Sequence, residues 1–165
     1  MKLRLALVVS ALTFSFLAVS AALKAQETSG PPSKEDQETA VGCLRSINTA
    51  EAYYAKEYQK GYSSTLAALG VPPDGVKPSL GAAGLLDNSL TGGRKNNYVF
   101  SYTAGVADAA GKIGTYSVTA RPAKWQKGVV SIFTDQTGVI HWTKENRAPT
   151  AKDPTIDSLF ESPQK

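Results

Sequence analysis

The stretch SIFTDQTGVIHW, residues 131–142, holds the chain's only histidine, His141, six positions after Asp135. A carboxylate and an imidazole perform general acid–base chemistry when they lie within hydrogen-bond reach of one another and of a reacting group. Here a turn at DQTG starts at Asp135 and leaves His141 three residues into the returning strand. At about 3.3 Å per strand residue their side chains fall on the order of 10 Å apart. Asp and Gly are turn formers, so the stretch is read as a hairpin turn, with Gly138 left-handed and His141 on the solvent face of its strand.

The other reactive side chains are equally isolated. Cys43 is the only cysteine. It has no neighbouring histidine and cannot close an intramolecular disulfide, so it reads as a small buried hydrophobe, with a free thiol open to intermolecular pairing as the alternative. Glu51 interrupts an apolar helix stripe and reads as a paired or partly exposed carboxylate. Asp87, Asp108, Asp135 and Asp153 are scattered singly, giving no set of oxygen ligands for calcium. GLLDNSLTGGRK lacks the spacing and following helix of a phosphate loop. No catalytic, cofactor-binding or metal-ligating residue is assigned, no cofactor is expected, and the chain is not expected to be an enzyme.

The elements that would position these residues are legible. Ser33 is placed as an N-cap, with Glu35 and Asp36 in the first helical turn where negative charge is favoured. Ala40, Leu44, Ile47, Glu51, Tyr54 and Tyr58 recur at spacings of 3 and 4, flanked by Val41, Cys43, Ala50 and Ala55. Glu38, Arg45, Thr49, Lys56 and Lys60 take the other side. This is one amphipathic helix ending at Gly61, about 40 Å long at about 1.5 Å per residue. Residues 61–96 are rich in Gly, Pro and Ser, with apolar clusters at Leu66, Ala67, Leu69 and at Leu85, Leu86, Leu90; they read as two short helical turns within a long connection.

From Asn97 the period changes to two. Tyr98, Phe100 and Tyr102 share one strand face, and Tyr116, Val118 and Ala120 another. GVVSIFT and GVIHWT form a further pair around DQTG. The expected fold is α+β: a long N-terminal amphipathic helix packed on a three- or four-stranded antiparallel sheet. Most of the seven tyrosines belong to its core or core edge. Residues 147–165 are expected to be mostly irregular, although Ile156, Leu159 and Phe160 could dock.

Residues 1–25 form a basic start, MKLR, and an apolar run, which is the pattern of a Sec-type secretory signal peptide with cleavage after Ala22 or Ala25. The run approaches the roughly 18–20 residues that span a bilayer, so an uncleaved anchor is the alternative. Either way residues 34–146, the expected domain, lie outside the cytoplasm, periplasmic or secreted, behind a polar linker at 26–33. Loss of Lys2, Arg4 and Lys24 leaves fifteen basic residues against fourteen acidic ones. The sequence pI of about 9.1 therefore does not describe the mature chain, and nucleic-acid binding, which needs a basic face, is not expected.

The order of phrases carries a resemblance. RSINTAEAYYAKEYQKGYSSTLAALG, then AGLLDNSLTGGRKNNYVFSYTA, then FTDQTGVIHW resembles type IV pilins and type II secretion pseudopilins over roughly residues 38–145. The closest likeness is to small pilin-like proteins with a Tyr-x-x-x-Leu-x-x-Leu-Gly phrase after the helix. The resemblance implies the headpiece fold, and an unidentified protein partner is expected. The prepilin leader and apolar helix half are missing: Glu35 falls fifth after Gly30, but PPSKEDQETA is no membrane-spanning run. The expected function is an exported, non-catalytic, pilin-like structural or interaction module. The alternatives are a soluble periplasmic ligand-binding protein using the 61–96 loop, and a minor component of a pilus or type II secretion assembly held by an uncleaved anchor. Oligomeric state is left open.

Overall fold

The computed structural model describes residues 30–160. The expected signal peptide at 1–25 and linker residues 26–29 lie outside them. Among the described residues the protein is α+β, with an antiparallel sheet in the order β1-β2-β3-β4-β5. Its strands are β1 (Arg94–Lys95), β2 (Tyr98–Ala104), β3 (Tyr116–Pro122), β4 (Ser131–Asp135) and β5 (Ile140–Thr143). The sheet therefore has five strands rather than three or four. The extra one, β1, is only two residues long, too short to show a two-residue period, and pairs Arg94 with Val99 and Lys95 with Tyr98.

Helix α1 runs Lys34–Tyr58. Its start is fixed by a reciprocal capping box. The Asp36 backbone N–H donates to Ser33 Oγ at 3.1 Å, and the Ser33 N–H donates to Asp36 Oδ2 at 2.9 Å, satisfying two otherwise orphaned donors. Pro32, just before the cap, is buried, so the end of the expected free linker is held against the domain. The C-terminus differs from the expectation of Gly61. Gln59 takes the left-handed cap at φ 56°, its N–H still bonded to Ala55 O. Gly61, also at positive φ, serves a close approach instead: a Cβ there would lie 2.0 Å from the Ile113 carbonyl oxygen.

The buried stripe of α1 contains Ala40, Val41, Cys43, Leu44, Ile47, Ala50, Glu51 and Tyr54, while Tyr58 and Ala55 are half-buried. Leu44 and Ile47 are fully buried, each contributing about 1.5–3 kcal/mol of hydrophobic stabilisation. They face the inward residues of the sheet, including Tyr98, Phe100, Val118, Ala120 and Ile132. Between helix and sheet edge lie the two turns expected in the connection, a 3-10 turn at Leu66–Leu69 and α2 (Asn88–Thr91). Leu66, Ala68, Leu69, Leu86 and Leu90 are buried, while Ala67 and Leu85, members of the same apolar clusters, face out.

The tail is less irregular than its composition suggests. Residues 153–156 run along β5: the Trp142 N–H donates to Pro154 O at 3.0 Å and the Ile156 N–H to Ile140 O at 2.8 Å. Ile156 is buried, and a short helix, α3 (Asp157–Phe160), follows. Bonding to an open sheet edge satisfies backbone groups that a free tail would leave to water.

Candidate functional site

Asp135 and His141 each bond within a separate local structure. Asp135 closes its own turn: its Oδ1 accepts from Thr137 N–H at 2.9 Å and Thr137 Oγ at 2.6 Å, and the Gly138 N–H donates to Asp135 O at 2.9 Å. Gly138 adopts φ 75°. The turn is pinned to α1 by Asn48, whose Nδ2 donates to Gly138 O at 3.1 Å and to Thr134 Oγ1 at 2.9 Å. His141 is half-buried rather than solvent-facing, because the tail covers it. Its Nδ1 meets Asp153 O at 2.7 Å, which places the proton on Nδ1, and its ring lies 6.2 Å from that of Phe133.

Glu51 is fully buried, which removes the partly exposed alternative. Three donors surround it. Ser63 N–H reaches Oε2 at 2.9 Å, while Ser63 Oγ at 2.5 Å and the Tyr102 hydroxyl at 2.7 Å reach Oε1. A buried carboxylate held by three donors is a structural clamp. It ties α1 to the start of the 61–96 connection and to β2. Burial, together with the neighbouring Glu51 charge, pushes the Tyr102 hydroxyl far above the usual tyrosine range. Tyr116 stacks on Tyr102 at 5.8 Å and meets Tyr62 edge-on at 4.7 Å, completing an aromatic wall.

The remaining aspartates each serve one local structure. Asp87 caps α2, and Asp108 accepts from Ala110 and Lys112 N–H. Asp153 receives Arg147 and Thr150, and its carboxyl is held far below the usual range chiefly by Arg147. Among the described residues no three His, Cys, Asp or Glu side chains cluster as a metal site. No described helix is long and apolar enough to cross a membrane.

What the sequence did not reveal is a cleft of about 560 Å³ between the outer flank of α1 and the segment 85–95. Its size falls within the ordinary range of small-molecule clefts. Cys43, Ala50, Leu86 and Leu90 make its buried apolar floor. Arg45, Ser46, Thr49 and Tyr53 line the helix side, and Leu85, Asp87 and Lys95 the other. Cys43 is a free, buried thiol, and burial raises its pKa, which disfavours the reactive thiolate. Asp87 is held down to about 2, first by the Ser89 hydroxyl, then by the Leu90 N–H and Lys95.

The cleft could be found only by knowing that residues 43–53 and 85–95 lie side by side. The one hint in the sequence was that Leu85, Leu86 and Leu90 cluster inside an otherwise polar connection. No protein-family model, curated protein or solved structure matches the chain.

Proposed function

We propose that this protein is an exported, non-catalytic interaction module with the architecture of a pilin headpiece, binding a protein partner through the flank of α1 and the 61–96 connection. One observation carries the reading. Five of the eight exposed large hydrophobic residues among those described, Tyr53, Val71, Val76, Leu80 and Leu85, belong to that single region. Exposed apolar side chains concentrated in one stretch of the fold support a partner surface there. The order of elements supports the same reading: a capped helix laid across an antiparallel meander, joined to it by a long connection, as the pilin-like phrases imply.

The connection is held firmly enough to present a surface. Glu51 fastens its start, Tyr54 donates its hydroxyl to Leu80 O at 2.8 Å in the middle, and Asp87 caps the turn near its end. Export is tested by sequencing the N-terminus of the native protein recovered from the envelope and the medium. A mature chain starting at Leu23 or Gln26 supports ordinary secretion. A start at Pro31 marks prepilin processing and assigns the chain to the filament pathway, and retention in the cytoplasm with Met1 intact overturns export.

A further inference from the structure

We propose that the cleft between α1 and the 85–95 segment is a binding site for a small organic acid, a carboxylate attached to a flat apolar body. This goes beyond the protein-partner reading and stands or falls separately. The floor dictates the body: Cys43, Ala50, Leu86 and Leu90 offer apolar contact and no strong hydrogen-bonding side-chain group. Tyr53, 63% exposed on the wall, offers a ring face to stack against.

The rim dictates the head group. Ser46 and Thr49 spend their hydroxyl protons on the helix backbone, donating to Gly42 O at 3.1 Å and Arg45 O at 3.0 Å. The Asp87 carboxylate is filled by the Ser89 hydroxyl, the Leu90 N–H and Lys95 Nζ. Lys95 has its charge matched by Asp87 at 3.1 Å. Arg45 forms no ion pair among the described residues, so the lining carries one uncompensated positive charge. Ser46 and Thr49, their protons committed, can only accept, so the free N–H groups of Arg45 select the head group, and a guanidinium receives a carboxylate through paired N–H groups.

The test is a titration of the whole mature protein with 2-naphthoate and with its neutral counterpart 2-naphthylmethanol, followed by amide line shifts at residues 43–53 and 85–95. The acid is expected to bind about tenfold more tightly than the alcohol, the contribution of one charge-assisted contact. Arg45→Gln should erase that difference without changing the fold, since its side chain forms no hydrogen bond or ion pair among the described residues. Ser46→Trp, on the exposed helix surface, should fill the cleft and abolish the shifts while circular dichroism stays unchanged. Equal binding of acid and alcohol, no shifts from either at millimolar concentration, a preference that survives Arg45→Gln, or shifts undiminished in folded Ser46→Trp would each overturn the site.

Discussion

The Tyr102 hydroxyl donates to Glu51 Oε1 at 2.7 Å, joining two residues fifty-one positions apart in a buried bond between α1 and β2. Both hydroxyls at this carboxylate have a second acceptor in reach: Ser63 Oγ lies 3.0 Å from Thr65 O, and Tyr102 Oη lies 2.9 Å from Ser63 O. Among the described residues the Ser63 N–H has only Glu51. Glu51→Gln is therefore expected to cost no more than about 1.5 kcal/mol, the amide oxygen taking the Ser63 N–H while the hydroxyls turn to their other acceptors. Glu51→Ala strands that N–H and opens a cavity, and should cost about 3 kcal/mol or more. Urea titrations of the two variants check the order.

Two glycines with the same backbone geometry should respond differently. Gly61 and Gly138 both sit at φ 75°, but a Cβ at Gly61 meets the Ile113 carbonyl at 2.0 Å, while at Gly138 the nearest atom is Asn48 Nδ2 at 3.9 Å. Gly138→Ala should cost about 1 kcal/mol from the left-handed conformation alone. Gly61→Ala adds a backbone clash and should cost roughly 3 kcal/mol. Asp135→Asn should be nearly neutral, because an amide oxygen serves Thr137 as the carboxylate does. Thermal melts rank the three.

Much of the fold could be read because its determinants are local. Ser33 announces the helix start, the spacing of Leu44, Ile47 and Tyr54 announces its buried face, and Gly138 announces the hairpin. The features that escaped are those made by distant pairs or by departures from local preference. Gln59, not a glycine, ends α1, and Gly61 serves the close approach to Ile113 instead. Strand β1 exists only as the edge partner of β2. The Glu51 clamp needs Ser63 and Tyr102, and the cleft needs two segments some forty residues apart. His141 was assigned to solvent because its own strand alternates, while its cover comes from Asp153 in a tail whose composition looks unstructured.

That tail docks through Ile156, which is buried, and through the backbone bonds of Trp142 and Ile156. Ile156→Ala should raise hydrogen exchange at the Trp142 and Ile156 amides by about tenfold or more, with little change in the amides of α1, because the strap opens as a local unit. Uniform acceleration across the protein would make the strap part of the global core instead.

Acid should loosen the cleft rim. The Asp87 carboxyl is lowered from 3.8 to about 2, chiefly by the Ser89 hydroxyl and then by the Leu90 N–H and Lys95. Because its folded pKa is depressed, its contribution is fully present above the unfolded value near 3.8 and is lost as pH falls through about 2. The Leu90 amide resonance should therefore shift with an apparent pKa near 2, and Asp87→Asn should remove that transition while α2 stays capped.

The proposed partner surface, the flank of α1 with the 61–96 connection, should meet its protein partner outside the cytoplasm. Photo-crosslinking residues placed singly at Tyr53, Val76 and Leu85, and as controls at the exposed positions Thr137 and Lys152, test it in the native host. A discrete adduct of the same mass is expected from the first three positions and none from the controls. The same adducts from all five positions, or only uncrosslinked protein at every position, would contradict it.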